Sequence, residues 1–233
     1  MGEEKAVLDI PLRSVMVLAM SSRPSPLPNR VSPFGEITAT PMRGLFVGNR
    51  GIIHRDYKIA KRCGTDGWVI CVIDFRGRRR PLMSPGTWTE LFFLDEATAF
   101  AAGHRPCFYC QRPRAAEFAK SWGHGAGLAG AASAKEMDAV MKQERRHIRR
   151  LPDDAMRRRE NLPVVTERDL ATGAMVESQG EAFLFADGQF LRWSFGGYAP
   201  AKPSGPLRLL TPPSVNDAFG AGFFPVLHSS AGV

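Results

Sequence analysis

The amino-acid sequence predicts an α+β protein, and three observations carry that reading. Eighteen prolines and 23 glycines in 233 residues favour turns and short elements over long helices. The run from Trp68 to Phe75, Trp-Val-Ile-Cys-Val-Ile-Asp-Phe, is dense in β-branched and aromatic side chains, as strands are. Beyond Ala174, apolar runs alternate with turn residues, so the last quarter reads as β-rich. A hydrophobic fraction of 44% with 23% charged residues is ordinary for a globular chain, and the length suffices for a buried core.

Taken in order, Val15 to Met20 is an apolar run too short for a membrane span and reads as a strand or short helix. No other run approaches the ~20 apolar residues of a spanning helix. The expectation is therefore a cytoplasmic protein with no membrane partner, whose four cysteines serve as thiols or metal ligands rather than disulfides. The proline-rich stretch from Ser21 to Ser32 reads as an extended loop. Arg43 to Ile53, punctuated by Gly44, Gly48 and Gly51, reads as a glycine-bent hairpin. After the strand at 68–75, Arg76-Gly77-Arg78 supplies a turn and the chain returns through Leu82-Met83. Glu90 to Leu94 reads as a further strand. Asp95 is placed to cap a helix from Glu96 to Ala102 that Gly103 ends.

A second helix is expected from Arg112 to Trp122, followed by a Gly/Ala-rich hinge at Gly123 to Gly130. Ser133 and Glu136 have the spacing of a capping box. The helix they open carries Met137, Val140 and Met141 on one face. In the tail, strands at 174–178, 182–186, 190–195 and 207–210 and a closing helix at 213–221 are expected. Asp187-Gly188 is a strong hairpin signal between two of them.

The chain carries 31 Lys and Arg against 23 Asp and Glu, a formal net charge of +8. Such an excess attracts polyanions, because phosphates release condensed counterions on contact. The cations cluster in two places. Arg76, Arg78, Arg79 and Arg80 follow the strong strand, and Lys142 to Arg159 holds eight cations against three acids. Spacings of three and four place Lys142, Arg145, Arg146 and Arg149 on one face of a helix, with Arg150 beside them. These residues are the expected phosphate contacts. The tryptophans at 68, 88 and 193 are expected in the core rather than stacked on bases.

Cys107 and Cys110 have the two-residue spacing that lets two thiolates meet one zinc ion from a single turn. A structural zinc takes four donors, and the remaining candidates are Cys71, Cys63, His54 and the neighbouring His104. The stretch from Asp95 to Cys110, ending Ala-Gly-His-Arg-Pro-Cys-Phe-Tyr-Cys, resembles the metal-binding domain of Ada-type DNA alkylation-repair proteins. In that family a short helix also runs into an Arg-Pro-Cys-x-x-Cys knuckle, after an aromatic strand like Leu91-Phe92-Phe93. Phe46-Val47-Gly48-Asn49 and Ile53-His54 resemble the Val-Gly-Asn hairpin and histidine ligand of Ada-like modules attached to nucleases.

The resemblance covers Gly44 to Arg112. It implies a small zinc module whose last two ligands are Cys107 and Cys110, and a DNA partner. The ligand set read from it is His54, Cys71, Cys107 and Cys110, with Cys63 in reserve. Two positions depart from the family. His54 stands near the place of the alkyl-accepting cysteine, and an imidazole does not replace a thiolate in that role; Lys58 lies where a second ligand follows. A zinc-organised binding surface is thus expected rather than self-alkylation.

The organisation that follows is an N-terminal extended segment (1–43), an Ada-like zinc module (44–125), a basic helical linker (126–160) and a β-rich C-terminal part (161–233). The functional expectation is a zinc-stabilised protein that binds nucleic acid, DNA first, in the context of DNA repair. Two alternatives stand beside it. One is a metal-dependent nuclease or other hydrolase, for which Glu90 is the candidate acid because it opens an apolar strand with no evident structural duty. The other is a protein-interaction module whose basic surface meets an acidic protein.

Overall fold

Short strand-forming runs separated by glycine and proline give two sheets of modest strands. The protein is described here by a computed structural model covering residues 23–77, 80–149 and 161–232. The expected run at 15–20 lies outside these residues. In the first half the strands are β1 (Pro28–Val31), β2 (Ile37–Ala39), β3 (Phe46–Asn49), β4 (His54–Arg55), β5 (Lys58–Ile59), β6 (Val69–Val72), β7 (Leu91–Phe93) and β8 (Arg105–Pro106). Six of them form one mixed sheet in the order β2-β1-β7-β3-β6-β8, while β4 and β5 pair as a separate hairpin. The β1–β7 and β6–β8 pairings are parallel. The second half contributes β9 (Val164–Val165), β10 (Met175–Ser178), β11 (Glu181–Ala186), β12 (Gln189–Ser194), β13 (Gly197–Pro200) and β14 (Leu207–Leu209). Their order is β13-β12-β11-β10-β14-β9, antiparallel throughout.

The helices are α1 (Glu96–Ala101), α2 (Arg112–Gly125), α3 (Ala134–Glu144), α4 (Arg146–Arg149) and α5 (Pro213–Gly220). Together with the two sheets they make the α+β architecture the sequence predicts. Asp95 caps α1 through Thr98 N–H, 2.9 Å from its Oδ1. Gly103 then leaves the helix at φ +79°, with the Arg145 side chain 2.9 Å from where a Cβ would stand. Ser133 and Glu136 form the capping box of α3. Asp187 and Gly188, both at positive φ, turn β11 into β12 as a two-residue hairpin requires.

One apolar cluster gathers Ile70, Leu91 and Phe93 of the first sheet with Phe118 of α2, Met137 and Met141 of α3, and Val215 and Phe219 of α5. A second cluster joins Leu94 and Ala97 to Met175, Leu184 and Tyr198 of the second sheet. Among the described residues no helix is long and apolar enough to cross a membrane.

Several elements differ from the sequence reading. The segment expected as a glycine-bent hairpin at 43–53 instead supplies the single strand β3, which pairs with β6 and β7, at least twenty positions away. Residues 28–39 form two strands of the first sheet, because β1 finds a partner in β7 more than sixty positions away. The stretch around Leu82 and Met83 is a turn, with Met83 at φ +55°. The helix after Ser133 packs into the core through Met137 and Met141, while Val140 is exposed.

Candidate metal centre

The strand β6 and the loop after β8 bring the cysteines together. The parallel β6–β8 pairing aligns Val69 with Arg105 and Ile70 with Pro106, and Cys107 N–H continues the ladder onto the Ile70 carbonyl at 2.9 Å. Cys107 is thereby held beside Cys71, the next residue of β6. A tight turn follows, closed by Gln111 N–H on the Cys107 carbonyl at 3.0 Å, and it returns Cys110 to the same place. The Gln111 side chain fastens the knuckle to β6 through the Ile70 carbonyl, 2.8 Å away. The Sγ atoms of Cys71, Cys107 and Cys110 all lie within 4.8 Å of one another, each half-buried. Tetrahedral zinc with Zn–S bonds of about 2.3 Å sets its sulfurs roughly 3.8 Å apart, so the trio is close to the spacing a metal needs.

The trio stabilises a thiolate at its centre. Hydrogen bonds from the Cys110 and Cys71 thiols, against the opposing effect of burial, hold Cys107 far below the usual thiol range. Tyr109 N–H also faces the Cys107 sulfur at 3.4 Å. Cys71 is pushed far up, first by its contact with Cys107, then by Cys110 and burial. Cys110 is raised as well, first by Cys107. A divalent ion would replace the two shared protons and leave three thiolates around one positive centre. The three cysteines can therefore hold a metal ion.

Among the described residues no other His, Cys, Asp or Glu joins the trio. His54 is not brought to it. Its Nδ1 lies 2.7 Å from Thr89 Oγ1 and its Nε2 lies 3.2 Å from the Ser84 carbonyl, so both ring nitrogens tie the β4 hairpin to the loop before β7. Cys63, a free thiol outside the trio, is close enough to the buried Arg50 to influence its charge. His104 is fully buried against Trp68 and Phe93. Arg50 Nε donates to its Nε2 at 3.4 Å, so that nitrogen accepts and the ring is neutral with its proton on Nδ1. Burial and then the Arg50 and Arg145 charges push His104 well down, in agreement with a neutral ring.

Glu90 has a structural task that its sequence position concealed. Its Oε2 accepts Met83 N–H at 2.9 Å, which satisfies the backbone of the strained turn at Met83. Its Oε1 lies 2.5 Å from Arg80 Nη2. Although that oxygen has no partner of hydrogen-bond geometry, the ion pair at this distance accounts for it.

The basic residues divide between surface and interior. Arg145 is a correction to the expected phosphate stripe: it is fully buried. α3 stops at Glu144, and the Arg145 guanidinium lies 4.4 Å from the Trp68 ring centre while Nη1 donates to the Gly103 carbonyl at 2.8 Å. Nη2 donates to the Asp66 carbonyl. Arg50 lies over the same ring at 4.2 Å, and burial, then Arg145, lowers its pKa to about 9. Both arginines thus pack on the Trp68 ring beside the buried His104. Lys142 pairs with Asp66 at 2.6 Å, and Arg146 opens α4 with an exposed side chain while Arg149 ends it. Arg76 is exposed and lies 5.0 Å from the Phe75 ring, and Arg80 lies 4.2 Å from the Trp88 ring. Arg78, Arg79 and Arg150 lie outside the described residues.

Geometry therefore defines the chain as an α+β protein with a candidate three-thiol metal centre on the edge of a mixed sheet. No protein-family model, curated protein or solved structure matches it.

Proposed function

We propose that this chain is a zinc-stabilised nucleic-acid-binding protein with DNA as its partner. The observation that carries the reading is the meeting of three sulfurs, from β6 and the knuckle after β8, within 4.8 Å. An all-sulfur donor set selects soft or borderline ions, and the resemblance of the knuckle to Ada-type modules favours zinc among them. The same resemblance is the ground for placing the protein in DNA repair. Zinc would join β6 to the knuckle, with a donor outside the trio completing its shell.

Two features support nucleic acid as the partner. The net charge is +8. Beside the thiols stands an aromatic and cationic tip: Tyr109, between the two knuckle cysteines, is 64% exposed, and its ring centre is 5.2 Å from that of Phe75, next to Arg76. Exposed rings beside cations suit both stacking and phosphate contact. The test is fluorescence anisotropy with duplex and single-stranded DNA, using zinc-loaded and chelator-stripped protein over a salt series. Binding that weakens steeply with salt and depends on zinc is expected. Salt-independent or absent binding removes the proposal.

A metal-dependent hydrolase is the second reading, favoured by one observation. Three protein donors leave zinc a position for water, as catalytic sites do. Zinc-dependent cleavage of the bound DNA would move this reading to first place.

A further inference from the structure

Register across the first sheet sets the thiol cluster and a second, polar feature on one face. Partners in register are Arg30 with Phe92, Phe92 with Val47, and Val47 with Cys71. Residues directly paired across strands point to the same side of a sheet. Arg30, Phe92 and Cys71 therefore share a face, with Phe92 two strands, about 10 Å, from Cys71. The opposite face carries Ile70, Leu91 and Phe93, which are buried in the core.

On the thiol-bearing face lies a cleft of about 650 Å³, within the range of small-ligand sites. Arg23, Arg30 and Arg43 line it together with Phe92 and Ile73, and among the described residues no carboxylate does. Ile73 follows directly on the end of β6, two residues past Cys71. β1 carries an irregularity at Asn29: Pro28 pairs with Ala39 and Arg30 with Thr38, leaving Asn29 as the extra residue. A bulge of this kind re-aims side chains, and Asn29 and Arg30, consecutive in the chain, both line the cleft.

Asn29 is fully buried. Its Oδ1 accepts from Arg30 Nη1, and that contact fixes which end of the amide is oxygen. The other end, Nδ2, is a buried donor without a hydrogen-bond partner or accessible surface, a state that costs about 1–3 kcal/mol. Arg30 is held in place by the Met42 carbonyl at 2.6 Å and by the Phe92 ring, 4.7 Å from its guanidinium. Burial and the neighbouring Arg43 charge lower its pKa. Arg23 and Arg43 are exposed at the cleft wall.

We infer that this cleft binds one nucleotide unit of the nucleic acid, its phosphate on Arg23 and Arg43 and its base against Phe92 and Ile73. The inference rests on the nucleic-acid reading and gives it a location. Three arginines, with no carboxylate among the described lining residues, suit an anion. The apolar wall suits a planar body beside that anion, and a nucleotide offers both.

The test uses the zinc-loaded full chain and three probes: a labelled thymidine dodecamer, the mononucleotide dTMP and inorganic phosphate. Two variants spare the fold. The double variant Arg23→Ala with Arg43→Ala and the variant Ile73→Ala each remove exposed side chains that line the cleft. Each is expected to weaken dodecamer binding by roughly tenfold or more with an unchanged melting temperature. Native affinity in both variants overturns the cleft while leaving the nucleic-acid reading intact. Binding of dTMP that depends on Arg43, without any dodecamer binding, supports the cleft and overturns that reading. No binding of any probe by the native protein overturns both.

Discussion

The two sheets bury different kinds of residue. The second sheet is built largely from neighbouring hairpins, β10 to β13 pairing in sequence order, and it packs Met175, Leu184, Phe183 and other apolar side chains. The first sheet is assembled from partners far apart in the chain, and it and the segments around it bury Arg50, His104, Arg105 and Arg145. Local hairpins with apolar faces are stable without special chemistry. A mixed sheet with buried cations needs further restraints, here Trp68 beneath two guanidinia, the Arg105–Asp138 pair at 2.7 Å and the thiol cluster. The first sheet is thus the part whose stability a metal bound at the thiols would control, and the second braces it. The brace is specific: Asp95 accepts from Tyr198 Oη at 2.8 Å and from His228 N–H at 3.1 Å, and Trp193 donates to Thr98 at 3.1 Å.

The largest expected effect breaks this contrast at the metal. Cys71→Ser should cost on the order of 5 kcal/mol in zinc-containing buffer, read by denaturant unfolding. Hydrogen exchange should then lose protection at 69–72 and 105–111 and keep it at 175–194; uniform loss would show that the regions are not distinct. Next, Arg145→Ala leaves the Gly103 and Asp66 carbonyls without a donor and should cost about 3 kcal/mol. If Arg145 instead served phosphates, affinity for DNA would fall and stability would hold.

Asp95→Ala removes the α1 cap, the link to Tyr198 of the second sheet and the link to His228 of the C-terminal segment, an expected loss of about 2 kcal/mol. Burial, the dominant cause, raises the Asp95 carboxyl in the folded chain above its unfolded value of about 3.9. The folded state therefore holds that proton more tightly. The resulting stability is fully present below the unfolded value and is lost as pH rises through the folded one. Asp95→Asn should flatten that acid-side slope, and an unaltered slope would assign it to another group. The smallest effect is expected for Arg80→Ala, about 1 kcal/mol, because a partly exposed ion pair is screened by water.

Several elements were legible because their causes are local. The Asp95 cap, the Ser133–Glu136 box and the Asp187-Gly188 turn are each determined within a few residues. Cys107 and Cys110 share that advantage through their spacing. Cys71 was reached from its strand, whereas His54 was grouped with it by resemblance, and its hydrogen bonds to Thr89 and Ser84 draw it elsewhere. Arg145 looked like surface because helical spacing says nothing of where a helix stops, and buried arginines are rare. The cleft was hidden for a similar reason. It depends on a bulge at Asn29 and on β1 pairing with β7 across a long stretch of chain, and no short pattern in the sequence encodes either.

The central claim is that three thiols from two distant segments grip one zinc ion. Native mass spectrometry of protein purified without added chelator tests it most directly. The account predicts one zinc per chain in the native protein and none in Cys71→Ser or Cys107→Ser, with Cys63→Ser retaining the metal. A native chain that carries no metal, takes up none when zinc is supplied and keeps its fold in strong chelator would contradict it.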